Sequence, residues 1–284
     1  MATATVNGLT LAYETIGEEG RPWVITPGGR FTKDEPGVRQ LADALAAQGN
    51  RVLIWDRPNC GESDVCFEGS SESAMQADAL VGLLEHLDMT PAVIIGGSGG
   101  ARVSLLAAAQ PGVASGLAIW WISGGVYGLL TLAMHYCGGS LAAAWTSGGM
   151  EAVADLPEWQ EVTEKNAGNR QRILDQDPKA FIAAMERWML AYVPTDEPVP
   201  GLSLAAARAL DIPALVFRSG DSDVWHTRAT SERLAAVLPQ ARLVEPPWGD
   251  REWLERQDHH DDGIFVRWPL LAPQLLEWQA GALG

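Results

Sequence analysis

The stretch that most constrains this chain is Gly96-Gly97-Ser98-Gly99-Gly100, which follows the apolar run Ala92-Val93-Ile94-Ile95 and precedes the helix-forming Ala101 to Ala109. It reads strand, tight turn, helix. Glycine at four of five positions removes the Cβ atoms that would clash in so sharp a reversal. The G-x-S-x-G spacing lifts Ser98 above the end of a sheet and marks it as a candidate nucleophile. A Gly-rich nucleotide-binding loop is the competing reading of Gly97, Gly99 and Gly100, but no early G-x-G-x-x-G turn follows the first strand.

Around this turn, strand and helix signals alternate. Asn7-Gly8 tolerates positive φ at both residues and lies between two alternating runs, which predicts an opening hairpin. Trp23 to Thr26 reads as a strand ending in Pro27-Gly28-Gly29-Arg30. An amphipathic helix over 37–48, a strand at Arg51 to Trp55 and a helix over 73–87 follow. After the serine turn comes a strand over 116–122. From 123 to 209 strand signals stop, and helices are expected over 150–153, 158–166 and 178–192, with Trp145, Trp159, Trp188 and Tyr192 among them. Alternation resumes with a strand over 212–217, a helix over 230–238, a strand over 241–244, a long polar stretch over 246–263 and a helix over 269–279. The expected fold is α/β: a doubly wound, mostly parallel sheet. Its core spans 1–122 and 210–284, with a helical cap inserted at 123–209.

Composition limits the function. The 284 residues carry a net charge of −16, with no basic block, which makes a nucleic-acid partner electrostatically unfavourable. Cys60, Cys66 and Cys137 have neither disulfide-framework density nor metal-ligand spacing and read as free thiols. The N-terminus lacks a basic region followed by an apolar core, and no apolar run reaches the roughly 20 residues needed to span a bilayer. A cytoplasmic protein without a membrane partner, a metal or another cofactor is expected; its oligomeric state, a homodimer included, stays open.

Four features in order resemble the α/β-hydrolase fold with a cap, over nearly the whole chain. Pro27-Gly28-Gly29 stands where that family has His-Gly, Asp56-Arg57 to Ser63 resembles its D-x-R-G-x-G-x-S loop, Gly96 to Gly100 is its nucleophile elbow, and Gly220-x-x-Asp223 resembles its acid turn. The resemblance implies a serine activated by a histidine that an acid orients, in the chain order Ser, acid, His. Asp223 fits the acid better than Asp221, because it stands three residues after the glycine. The family's histidine follows the last strand in a Gly-His step, whereas here Trp248-Gly249 precedes Asp250. His260 is favoured as the base from its distance to the last helix. His259 and His226, the latter three residues beyond Asp223, are the alternatives. The Asp258 to Asp262 run reads equally as a solvated polar turn and lacks zinc-ligand spacing. By the same resemblance Gly29 and Gly99 supply oxyanion donors. Arg30 is preferred over Arg57 and Arg102 as a substrate contact, able to hold a carboxylate.

The implied function is a serine hydrolase of a small ester, lactone or vinylogous carbon–carbon bond, its partner a small-molecule substrate, similar to meta-cleavage-product hydrolases, enol-lactonases and monoester esterases. The alternative is a non-hydrolytic relative, either a cyclase or lyase of natural-product metabolism or a ligand-binding receptor.

Overall fold

The computed structural model describes residues 2–258 and 262–283. β1 (Ala2–Val6) and β2 (Leu9–Ile16) form the opening hairpin, and its turn takes φ +51° at Asn7 and +80° at Gly8. β3 (Arg21–Thr26), α1 (Val38–Ala46), β4 (Asn50–Trp55), α2 (Glu72–His86), β5 (Ala92–Gly97), α3 (Gly99–Ala108) and β6 (Ala114–Trp120) follow in strict alternation after β3. The sheet has eight strands in the order β1-β2-β4-β3-β5-β6-β7-β8, antiparallel only where β2 meets β1 and β4. β7 is Ala214–Phe217 and β8 is Ala241–Val244.

Period-two alternation along the central strands divides the core. Val24, Leu53, Ile94, Leu117, Ile119 and Val216 face one side, where α2 and α3 cover them. Trp23, Ile25, Val52, Ile54, Val93, Ile95, Ala118 and Phe217 face the other, beneath α1 and the C-terminal helix. Strands buried on both faces read as continuous apolar runs, which is why β5 looked so plain in the sequence.

Between β6 and β7 the chain is helical: α4 (Val126–Ala133), a π-helical turn (Met134–Gly138), α5 (Gly139–Ala144), α6 (Gly149–Ala154), α7 (Pro157–Lys165), α8 (Ala167–Leu174), α9 (Pro178–Leu190) and α10 (Leu204–Ala209). A third core gathers Phe67 from the α/β part with Trp159, Phe181, Met185 and Trp188 from these helices. Trp145, expected among the packed aromatics, is 69% exposed instead. After β7 come α11 (Arg228–Val237), β8, α12 (Glu252–Asp258), a 3-10 turn (Trp268–Leu271) and α13 (Ala272–Ala282). Sequence periodicity misses α4, α5, α8, α10 and α12. α4 is apolar nearly all round, with Val126, Tyr127 and Leu130 exposed, so no amphipathic stripe marks it. No described helix is long and apolar enough to cross a membrane.

At the elbow the layers press close together. A Cβ on Gly100 would lie 2.0 Å from the Thr26 carbonyl oxygen and 2.6 Å from that of Pro27, so α3 can reach the β3 loop only with glycine there. Gly100→Ala should therefore cost about 3 kcal/mol as backbone is forced apart, read as a lowered chemical-denaturation midpoint. By contrast, Gly281→Ala in α13, where the added Cβ meets open space, should raise stability by about 0.5–1 kcal/mol. Equal effects at the two sites would contradict the close packing of the elbow.

Candidate active site

Ser98 sits between β5 and α3 with φ +56° and ψ −125°, a region costly for any residue with a Cβ and here imposed by the strand-to-helix reversal. It is 7% exposed. The β3 loop comes against it: a Cβ on Gly28 would lie 2.6 Å from Ser98 Cβ and 3.2 Å from its Oγ. A Cβ on Gly99 would lie 3.4 Å from the Gly29 nitrogen, so the two expected oxyanion donors flank one small space beside the serine.

The histidine that meets Ser98 is His226. Its Nε2 is 2.9 Å from Ser98 Oγ and its Nδ1 is 2.9 Å from Asp223 Oδ2. All three side chains are buried. Asp223 Oδ1 also accepts the backbone N–H groups of Trp225 and His226, each at 2.9 Å. The carboxylate thus closes its own turn and fixes the ring of the histidine within that same turn. Such a line can take a hydroxyl proton at Nε2 while the Nδ1 proton stays on the carboxylate side. Among the described residues, the imidazole beside Ser98 is thus that of His226, an alternative to the favoured His260. His260 and His259 lie outside the described residues.

Trp253 of α12 meets the His226 ring edge-on at 4.4 Å between centroids, and Trp121 stacks at 6.3 Å. Among the described residues, the segment after β8 thus supplies an aromatic wall to the His226 ring. Asp250, standing where the resemblance expects histidine, braces the acid turn. Its Oδ1 accepts from Asp221 N at 2.6 Å and Arg228 Nη2 at 2.8 Å, and its carbonyl accepts from Ser222 Oγ at 3.1 Å. The Asp221 N–H, above all, holds the Asp250 carboxyl below the ordinary aspartate range.

Arg30 does not line the space around Ser98 and is corrected as the substrate contact. Its guanidinium lies 3.9 Å from the Trp159 ring centroid, 3.6 Å from Glu72 and 3.1 Å from the Tyr136 carbonyl, enclosed by residues on both sides of it in space. Arg57 is structural as well: its Nη2 donates to the carbonyls of Gly28, Gly29 and Phe31 at 3.0, 2.7 and 3.4 Å. The carboxylates of Asp34, Asp56 and Glu62 cluster, yet the Lys33 ammonium occupies their centre at 2.8, 3.3 and 3.0 Å. Burial opposes that charge, but the hydrogen bond to Asp34 and the neighbouring carboxylates raise the lysine above its ordinary range.

A cavity of about 270 Å³ opens on Ser98 and His226. Phe31, Tyr136, Trp225, Trp253, Ile264 and Phe265 make its walls, with Thr131, His135 and Gln257 as polar points and, among the described residues, no Asp, Glu, Lys or Arg in its lining. Burial, helped by Arg30, holds His135 below the ordinary histidine range, so it faces the cavity as a neutral ring.

The model of the alpha/beta hydrolase family matches residues 22–275. Among solved structures, an enol-lactonase from Burkholderia xenovorans LB400 superposes with a TM-score of 0.59 at 20% identity, covering 98% of this chain and 100% of its own. A thermophilic esterase from Thermogutta terrifontis, with malate bound, gives 0.62 at 20% identity, covering 99% and 98%. An N-acyl homoserine lactone degrading enzyme gives 0.60 at 21% identity, covering 99% of each chain. At these identities the likeness is one of fold.

His226→Ala should slow the reaction of Ser98 with a fluorophosphonate at least about 10³-fold while leaving the melting curve cooperative; an unchanged rate would mean that another group takes the proton. Asp250→Ala should slow it roughly 10- to 100-fold by loosening the acid turn. Because the Asp250 pKa is lowered in the folded chain, its contribution to stability is full above the ordinary aspartate range and is lost as pH falls through the lowered value. The melting-temperature gap between wild type and Asp250→Ala should accordingly close in acid.

Proposed function

Since the chain belongs to the alpha/beta hydrolase family, we propose that it is a serine hydrolase of a small ester, lactone or vinylogous carbon–carbon bond, with Ser98 as nucleophile, His226 as base and Asp223 as the orienting acid. The observation that carries this reading is the continuous line from Ser98 Oγ to His226 Nε2 and from His226 Nδ1 to Asp223 Oδ2, 2.9 Å at each step. Ser98 Oγ adds to the substrate carbonyl as its proton passes to Nε2. The carbonyl oxygen takes the negative charge toward the N–H groups of Gly29 and Gly99. Collapse expels the alkoxide, which receives the proton from Nε2. Water then attacks the acyl-serine, gives a proton to the same nitrogen and leaves the acid, with Ser98 restored.

The size and lining of the cavity support a compact substrate that is apolar where it lies against these walls. At about 270 Å³ it lies near the small end of ligand pockets. Thr131, Leu132, His135 and Tyr136, from α4 and the π-helical turn, roof it, which supports reading the helices between β6 and β7 as a cap. The connected Ser–His–Asp line favours turnover over the non-hydrolytic alternatives.

A fluorophosphonate should add covalently to Ser98, seen as the mass shift of its tryptic peptide. Across p-nitrophenyl esters kcat/KM should be greatest for acetate to butyrate and fall at least about tenfold by decanoate. Ser98→Ala should lower kcat by about 10⁴ or more. Full turnover by Ser98→Ala would refute the mechanism, and a preference for decanoate would refute the compact substrate.

A further inference from the structure

Behind the loop that carries Gly28 and Gly29, the guanidinium groups of Arg30, Arg57 and Arg102 share the interior with a single buried carboxylate, Glu72. All four charges act on the Tyr136 hydroxyl, which places them around one centre. Glu72 reaches Arg30 at 3.6 Å and accepts from Asn59 Nδ2 at 2.9 Å. Among the described residues, Arg57 and Arg102 donate to neutral groups: Arg57 to Gln76 and the three loop carbonyls, Arg102 to Ser73 Oγ at 2.7 Å and the Tyr192 hydroxyl at 2.9 Å. Asp56, the further buried acid that acts on this interior, is paired with Lys33. Burial lifts the Tyr136 and Tyr192 phenols above their ordinary range and the Cys60 and Cys137 thiols to about 11 and about 12, so all four are neutral at pH 7. The cluster keeps an excess of positive charge where unpaired charge is costly.

A cavity of about 10 Å³ lies between Arg57 and Arg102, with Glu72 on its wall beside Gly29, Gly99, Tyr136 and Tyr192, so two guanidinium groups face one carboxylate across it. That is room for one water-sized occupant. Arg102 is 4% exposed, and its Nη1 is buried without a partner, as is Nε of Arg57. The Tyr192 hydroxyl accepts from Arg102, which leaves its own proton free to donate. Gly29 and Tyr136 wall both this cavity and the one that opens on Ser98. We propose that the small cavity is a subsite for a single monovalent anionic atom, taken up as a halide or as one oxygen of a carboxylate on the substrate. A water there would satisfy the Arg102 N–H and leave the charge uncompensated. Binding of the free ion is independent of the serine mechanism; the carboxylate arm rests on it.

Sodium bromide soaked into crystals of the whole chain should give an anomalous scattering peak between Arg57 and Arg102, and no peak there overturns the subsite. In solution, chloride in place of gluconate at constant ionic strength should raise the melting temperature saturably, by about 2 °C or more. Arg102→Gln should lose that rise, whereas an equal response in the variant overturns the assignment. Should the variant fail to fold, the bromide peak in the wild type decides. Chloride that competes with an ester carrying a free carboxylate, and not with its uncharged analogue of equal length, assigns the site to the substrate. Chloride binding without competition assigns it to the free ion. Neither the peak nor the melting shift needs turnover, so the subsite and the hydrolase reading can fail separately.

Discussion

The unfavourable backbone of Ser98 is the constraint on which the rest of the site depends. A serine at φ +56° costs about 1–3 kcal/mol relative to an ordinary conformation, and it persists only where its surroundings leave no alternative. Here β5 and α3 are both buried, and the glycines on either side bring α3 against the carbonyls of Thr26 and Pro27. Relaxing the serine would require separating β5 from β3 or lifting α3 off the sheet, which would expose the apolar faces of Ile94, Val103 and Leu105. Burial of those side chains, at roughly 25 cal/mol per Å², outweighs the local strain. The same close approach carries Gly28 and Gly29 to the serine, so the candidate nucleophile and its candidate oxyanion donors follow from one packing solution.

Asp223 and His226 depend on much shorter-range order. Asp223 and His226 belong to one turn after β7, and the carboxylate holds that turn by two backbone N–H groups before it reaches the ring. Their mutual geometry is therefore local. Only their distance from Ser98 is set by the sheet, through β6, which separates β5 from β7 in the strand order. From the described part of the segment after β8, Asp250 ties this turn down and Trp253 covers the His226 ring.

This division explains what could be read in the sequence. Alternating strands and helices, the hairpin at Asn7-Gly8 and the elbow are encoded within a few residues, and the sheet carries all of them. Asp223 is legible for the same reason. His226 was named only as an alternative, because the choice of His260 followed the order and spacing of the resemblance, whereas a three-residue interval to the acid is itself the signal of a closed polar turn. Arg30 misled differently. Its place beside Gly29 suggested a substrate contact, but Glu72 and Trp159, far off in sequence, claim its side chain. The hidden helices were α4, α5, α8, α10 and α12, short or lacking a clear apolar stripe, and their packing is decided by tertiary contact.

Arg57 links the sheet to the oxyanion loop in a way that peptide geometry makes definite. The bond between Gly28 and Gly29 is trans, so the Gly28 carbonyl and the Gly29 N–H point in opposite directions. With the Gly28 carbonyl fixed on Arg57 Nη2 at 3.0 Å, the Gly29 N–H must face away from the guanidinium. Arg57 is itself aimed by its position after β4 and by Gln76, whose amide donates to the Pro58 carbonyl at 2.9 Å. Asp56, its neighbour, accepts from the Lys33 N–H at 2.7 Å and so anchors the far end of the same loop. The loop is therefore held at both ends by consecutive residues of a single turn. A cation fixed on its carbonyls orients the donor dipole before any charge develops on the substrate, which is the condition under which such donors stabilise an oxyanion without reorganising.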